Sequence, residues 1–399
     1  MNKLKKSFFT RLTGLLLVAG FFYSCSTTQP SVDQLLNNKN YQQALTSINN
    51  QLAEDPAQPD LYIQKAKIHA ILARDNDPEV RAEYYESAVE SFNAAGDYQP
   101  TTRQQNQIDS LRQQYWKFEH NLGLQASENE ELDEHFQRAT IHFQNALILQ
   151  SDAVSTYKSL AITQFKMGEL DVAIATYRRA LSASDNPPPQ LYENLGYLYL
   201  EKGDPEQAAY YYELANKSLE NDLNTAFGLI NAYVSNGNHT EAVEILKPLV
   251  EENPDNAGLR NVYGTQLYEI TEIVIGDLKA AYRAQDSALV SQLRFEAEGT
   301  GEQAEQQLIE AFRRDTANVN YLESLAVFYN NLSAQYLSLQ KVVFSEDLPE
   351  IRSKAYTLID FAIDYYEKLS DANPDNEQYQ AKLSTLENLK AQNSASPNN

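Results

Sequence analysis

This chain of 399 residues has little of the amino acids on which disulfide, thiol and zinc chemistry depend. Its one cysteine is Cys25, so no internal disulfide can form and the rest of the chain has no thiol nucleophile. Histidine is also scarce, and only His135 and His142 can share a helix face, with Glu131 as a nearby carboxylate. No short zinc-type spacing is present, so we expect neither a metal nor a cofactor.

Motifs for catalysis are equally scarce. No nucleophile-elbow motif is present, and the segment Gly299-Thr300-Gly301 is too short to hold a phosphate. We expect that segment to form a turn between two helices. Carboxylates are so abundant that pairs such as Glu269 and Glu272 carry no weight as an acid and a base. The sequence therefore predicts no catalytic residue and no enzyme.

The chain also has few basic residues relative to acidic ones. The chain has 32 Lys and Arg against 55 Asp and Glu, a formal net charge of −23 at pH 7. A surface with this balance repels phosphates, so nucleic acid and anionic lipid headgroups are poor partners. Basic peptides and metal cations are tolerated better.

Long apolar runs are absent except near the N-terminus. Four basic residues within 1–11 precede an apolar run from Leu12 to Tyr23, which is shorter than the roughly 20 residues of a membrane span and suits a secretory signal. The run ends at Ser24-Cys25, which resembles the lipobox of bacterial lipoproteins. That resemblance implies a signal peptide over 1–24, lipidation of Cys25 and a polar tether over 25–30; the alternative is an ordinary signal peptide in which Cys25 is incidental.

The most informative feature that is present is a repeat of 34 or 35 residues between Leu160 and Pro254. Each copy has apolar residues at helical spacing, a central glycine, and then a small residue followed one turn later by a larger one. This pattern predicts two short helices joined by a tight turn, and such hairpins must stack to bury their apolar faces. The columns are Leu160, Leu195 and Leu229; Gly168, Gly203 and Gly237; Ala173, Ala208 and Ala242; and Tyr177, Tyr212 and Leu246.

This pattern resembles the tetratricopeptide repeat (TPR), whose signature is matched by Leu195-Gly196, Tyr199, Ala208, Tyr212 and Ala215. The resemblance implies an all-α fold, a TPR-type right-handed superhelical solenoid of helix hairpins. Weaker matches extend it in both directions along the chain. We expect divergent TPR-like repeats over 31–150, regular repeats over 151–256, TPR-like repeats with extended helices over 257–390, and a disordered polar tail over 391–399.

The C-terminal third departs from a plain repeat array. An unbroken apolar stripe from Leu259 to Glu298 predicts one helix of about 60 Å, and residues 319–343 predict a second long helix. We interpret this region as a bundle of long helices built on the repeat plan. A docking surface for a partner is the alternative, and self-association stays open.

With no chemistry predicted, function is expected to come from a surface. In TPR arrays the first helices of the repeats line a groove, so the resemblance implies a protein-binding groove in this chain. Clamping of a C-terminal carboxylate is disfavoured, because Ile162, Asn224 and Gly228 replace residues of that motif; a peptide held by aromatic contacts and Asn side chains fits better. The groove residues are Lys158, Ile162, Phe165, Glu193, Asn194, Tyr197, Glu201, Phe227, Asn231, Val234, Asn261, Thr265 and Tyr268.

Two classes of function are compatible with these features. The first is a lipid-anchored periplasmic adaptor on the outer membrane that binds a protein partner in a bacterial envelope complex. This class is similar to the TPR lipoproteins of β-barrel and pilus assembly. The second is a surface lipoprotein that captures a ligand or glycan beside an outer-membrane transporter. The second family has exposed tryptophan platforms and loop-rich insertions, whereas this chain has a single tryptophan, Trp116. The first class is therefore favoured.

Overall fold

The computed structural model describes residues 30–131, 134–216 and 223–395, and these ranges contain helices and turns but no β-strand. Cys25 and the predicted signal peptide over 1–24 lie outside the described residues. The chain divides into two compact units, residues 1–115 and 116–399, with the boundary inside one long helix. No helix in the described ranges combines the length and the apolar character required to cross a membrane.

The first unit is built from short helices that pack on their neighbours in the chain. Its apolar contacts come from small and branched residues such as Ala44, Ile48 and Ala88, each fully buried. Because these positions recur at helical spacing, each helix presents one apolar stripe to the next. The helices are α1 (Val32–Asn37), α2 (Tyr41–Glu54), α3 (Pro59–Arg74), α4 (Arg81–Asp97) and α5 (Thr102–Glu128), the last of which continues into the second unit.

Within the described ranges the second unit continues with twelve helices, and each contacts the helix before it. The regular hairpins are α6 (His135–Leu149), α7 (Val154–Lys166), α8 (Leu170–Ser182), α9 (Pro189–Lys202), α10 (Pro205–Asn216), α11 (Leu223–Ser235) and α12 (His239–Glu252). The longer helices are α13 (Ala257–Ala284), α14 (Ser287–Arg314), α15 (Val319–Leu339), α16 (Leu348–Ala372) and α17 (Glu377–Ala395).

The predicted hairpin turns are confirmed. Gly168, Gly203 and Gly237 have φ values of +79°, +77° and +76°, which only glycine adopts without strain. Each ends the first helix of a repeat and lets the chain reverse into the second. The small residue of each second helix then lies fully buried, as at Ala208, so the two helices of a hairpin approach closely.

The prediction of one helix from Leu259 to Glu298 is wrong. The chain breaks at Gln285, which is left-handed with φ 58°, and Asp286 caps the next helix by accepting a hydrogen bond from the Leu289 N–H at 3.1 Å. The result is a long hairpin, α13–α14, because both apolar stripes are buried against each other instead of lying end to end.

Residues 299–301 were expected to form a turn, and this expectation is also wrong, since they lie inside α14. Gly301 is buried against Thr271 of α13, so its small size serves helix packing rather than chain reversal. The long helix expected over 319–343 is confirmed as α15, which ends at Leu339. Helix α17 extends to Ala395, into the segment expected to be a polar tail, and residues 396–399 lie outside the described ranges.

Candidate functional site

The candidate site lies on the first helices of the regular repeats, where large apolar side chains remain in contact with solvent. Ile162 on α7, Tyr197 on α9 and Phe227 on α11 have exposed fractions of 39%, 45% and 40%. Phe165 lies one turn after Ile162 and is half-buried. We call these four residues the apolar row. Ile162 and Tyr197 are one repeat of 35 residues apart, whereas Phe227 lies four residues, about one helical turn, before the repeat position of Tyr197. The row therefore presents apolar surface on three successive first helices.

One aromatic contact joins two members of the row from neighbouring repeats. The rings of Phe165 and Tyr197 meet edge to face, with their centroids 5.8 Å apart. Burial, together with the hydrogen bond and negative charge of Glu201, raises the pKa of the Tyr197 phenol above its usual value. The phenol can donate a hydrogen bond to Glu201, which lies one helical turn later on α9.

Two asparagines of the predicted groove have unmet hydrogen-bonding capacity. The Asn194 side-chain N–H₂ group and the Asn261 side-chain oxygen are buried and have no partner among the described residues. Leaving a buried polar atom unpaired costs about 1–3 kcal/mol. Asn194 lies on α9 beside Glu193 and three residues before Tyr197, so this unmet donor belongs to the same helix as the centre of the row.

The other predicted groove residues have different environments. Tyr268 is only 5% exposed, and its hydroxyl donates to Glu272 at 3.0 Å, so it belongs to the core of the second unit. Thr265 donates its hydroxyl to the backbone carbonyl of Asn261 at 2.9 Å. The exposed members are Lys158, Glu201 and Asn231, and the half-buried members are Glu193, Val234, Asn261 and Thr265.

One exposed apolar residue of this region was not predicted. Val262 on α13 is 39% exposed and follows Asn261. The equivalent repeat positions are Asn194 in α9, which is half-buried, and Gly228 in α11, which is packed against Tyr212, so the columns gave no reason to expect an exposed apolar side chain there.

The two histidines that were expected to share a helix face, His135 and His142, form packing and hydrogen-bonding contacts. His142 is 5% exposed, and its Nδ1 lies 2.7 Å from an Oε2 of the fully buried Glu119. His135 packs against Phe136 with ring centroids 4.0 Å apart. Within the described ranges, no group of three or more His, Cys, Asp and Glu side chains is arranged to hold a metal ion.

Comparisons with known proteins agree with the repeat pattern. Residues 159–220 and 199–263 each match a model of the tetratricopeptide repeat family. This part of the chain therefore consists of tetratricopeptide repeats, which are generally protein–protein interaction scaffolds. A comparison with curated proteins gives no match.

Several solved structures are similar to the chain. A tetratricopeptide repeat protein from Parabacteroides merdae is 16% identical over 81% of this chain and 99% of its own, with a TM-score of 0.34. The C-terminal part of a repeat protein from Cytophaga hutchinsonii is 13% identical over 88% of this chain and 98% of its own, with a TM-score of 0.39. YrrB, described as a TPR protein with an unusual peptide-binding site, is 19% identical over 60% of this chain and 96% of its own, with a TM-score of 0.39. At these identities the comparisons say nothing about function.

Proposed function

We propose that this protein is a lipid-anchored adaptor of a bacterial cell envelope that binds a protein partner along the apolar row and performs no catalysis. The observation that carries the proposal is the row itself: Ile162, Tyr197 and Phe227 are exposed on three successive first helices of tetratricopeptide repeats. A soluble surface normally scatters such residues singly. Their alignment supports a binding surface.

The spacing of the helices favours a peptide segment with apolar side chains at a similar interval. Helices α9 and α11, which carry Tyr197 and Phe227, pack on each other, so their axes are roughly 10 Å apart, the usual distance between packed helices. That interval is close to seven residues of an α-helix at about 1.5 Å each, or three residues of an extended chain at about 3.3 Å each. Asn194 would satisfy its unpaired N–H₂ group with a carbonyl of the segment after a small rotation of its side chain.

Charge supports a neutral or basic partner. Removing residues 1–24 leaves 28 of the 32 basic residues against all 55 acidic ones, a formal charge of −27. Opposite charge on a partner accelerates association and adds specificity.

Lipidation of Cys25 would hold the body at the membrane surface by a short tether that ends before α1. We propose attachment to the outer membrane with the body in the periplasm. A single acyl chain gives only weak membrane binding, so stable attachment needs the additional chains of a lipoprotein anchor.

The experiment that tests the proposal places a photo-crosslinking amino acid at Phe227 in living cells. The matched control carries it at Tyr210 of α10, which is 53% exposed but lies on a second helix. We expect an adduct with one envelope protein from position 227 and not from position 210. The adduct should disappear when Tyr197→Ser is added and when Cys25→Ala prevents anchoring.

Two results would contradict the proposal. Equal adducts from Phe227 and Tyr210 would show that contact is not confined to the row. Efficient crosslinking without any protein adduct, together with binding of envelope glycans, would favour the ligand-capturing lipoprotein instead. Thermal melting of the Tyr197→Ser variant checks that the loss of an adduct does not come from unfolding.

A further inference from the structure

The first unit contains a polar cavity that lies apart from the apolar row. Its volume is about 550 Å³, within the range of about 300–1,000 Å³ that is typical of small-molecule sites. Three helices line it, each with residues three, four or seven positions apart, which share one helix face. Asn49 comes from α2, Lys65 and His69 come from α3, and Ser87 and Glu90 come from α4.

The charges in this cavity are opposite and unpaired. Lys65 and Glu90 both line it, yet neither forms an ion pair with any described residue, including each other. Both also act on the ring of His69, whose pKa is lowered by burial and by Lys65 and raised in part by Glu90. Lys65 lies one helical turn before His69 on α3, Glu90 lies on α4, and the two charges are not in direct contact with each other.

His69 adds an unmet hydrogen bond to the same cavity. Its Nδ1 is buried and has no partner among the described residues. With a lowered pKa the ring is neutral at pH 7, so the formal charges of Lys65 and Glu90 cancel within the cavity. The hydroxyl of Ser87 donates to the Glu83 carbonyl of its own helix and so faces a ligand as an acceptor.

We propose that this cavity binds a small zwitterion of the amino-acid class, a free amino acid or a dipeptide. The carboxylate of the ligand pairs with Lys65, its ammonium group pairs with Glu90, and a polar group between them reaches His69. A zwitterion supplies an opposite charge to both Lys65 and Glu90 and leaves the cavity neutral. A neutral sugar would pair with neither charge, and a simple ion would leave one of them unpaired. This site does not depend on the proposed adaptor function, because it uses residues of the first unit alone.

The test is calorimetric titration of the full-length protein with alanyl-alanine and with free alanine, which distinguishes the two possible ligands. N-acetyl-alanyl-alanine lacks the ammonium group, and alanyl-alanine amide lacks the carboxylate. We expect binding of at least one zwitterion below about 10 mM and weakening of roughly threefold or more for each blocked form, as the loss of one exposed charge pair predicts.

Protein variants then assign each charge to its partner. Lys65→Gln should weaken the zwitterion and leave the C-terminal amide unaffected, whereas Glu90→Gln should weaken the zwitterion and leave the N-acetyl form unaffected. A substitution that weakens binding only when the ligand carries the matching charge shows that the side chain and that charge interact directly. Lys67→Gln is the matched control, since Lys67 lies on α3 outside the cavity and removes the same charge.

Three outcomes would overturn the proposal. Failure of both alanine and alanyl-alanine to bind at about 10 mM would exclude the amino-acid class at a functional affinity. Equal binding of free and blocked forms would show that the two charges are not used. Binding of the disaccharide maltose without binding of either zwitterion would assign the cavity to sugars. The photo-crosslinking result at Phe227 is independent of each outcome.

Discussion

Two glycines pack closely against the Tyr212 ring, and this contact gives a quantitative prediction. Tyr212 lies between two glycines, Gly196 of α9 and Gly228 of α11. A Cβ atom added at Gly228 would lie 2.3 Å from two ring carbons of Tyr212, and one at Gly196 would lie 2.6 Å from the ring. Gly228→Ala therefore forces the ring or the helix to move by more than about 1 Å, since ordinary carbon contacts are about 3.5–4.0 Å.

The expected size follows from two opposing effects. Overpacking in a core costs about 1–3 kcal/mol. Replacing a helical glycine by alanine contributes up to about 1 kcal/mol of helix stability. For Gly228→Ala we expect a net loss of about 1–2 kcal/mol. Gly276 is the matched control, because a Cβ atom added there, in helix α13, would have no neighbouring atom within 4 Å, so Gly276→Ala should stabilise by about 0.5–1 kcal/mol.

The assay is urea unfolding followed by far-UV circular dichroism, with the midpoint compared among variants. Adding Tyr212→Leu to Gly228→Ala should recover part of the loss, since the smaller side chain relieves the contact, and the two changes should be non-additive. Equal midpoints for Gly228→Ala and Gly276→Ala would refute the reasoning. They would show that the repeats separate easily and that Tyr212 does not set the distance between them.

Three further predictions concern the second unit. Glu119→Leu should lower the free energy of unfolding of this unit by about 1–3 kcal/mol, because the buried Nδ1 of His142 loses its partner at 2.7 Å. Chemical denaturation measures this loss, and an unchanged midpoint would contradict the prediction. Asp286→Ala should cost about 1 kcal/mol by removing a helix cap, seen as faster amide exchange at the start of α14, whereas unchanged exchange would exclude a capping role. Burial raises the pKa of Tyr177 and of Tyr336 to about 12. The folded state then holds these protons more tightly than the unfolded state, so their contribution to stability is full below about pH 10 and falls as the pH rises to about 12. A spectroscopic titration in which all tyrosinate forms before the protein unfolds would contradict this.

The parts of the fold that the sequence predicted are those that depend on local rules. The glycine in the middle of each repeat predicted the end of the first helix, because glycine adopts the left-handed backbone conformation at a helix C-terminus without strain. Gly203 has this conformation in the structure. The small-then-large spacing of Ala208 and Tyr212 likewise predicted which side of each helix is buried. These features repeat, so each copy supports the interpretation of the next.

The parts that could not be predicted depend on a competing local preference or on distant contacts. The turn at Gln285 contains no glycine or proline, and the apolar periodicity of the sequence continues across it. That periodicity therefore predicted one continuous helix and outweighed the weak preference of Asp286 for a helix N-cap. The pair of Glu119 and His142 joins residues 23 positions apart, which no spacing rule identifies. The cavity around His69 requires three helix faces to converge, and only tertiary structure shows this.

Burial of Tyr268 determines where the open part of the groove ends. Its ring packs edge to face on Phe328 of α15, with centroids 5.6 Å apart, and its hydroxyl donates to Glu272. Glu272 in turn accepts from Gln335 of α15, which accepts from Lys279 at 2.5 Å. These contacts bury the position of α13 that corresponds to Phe165 of α7. The row therefore spans three first helices, roughly 20 Å at about 10 Å a step, which accommodates about six extended residues or about thirteen helical residues.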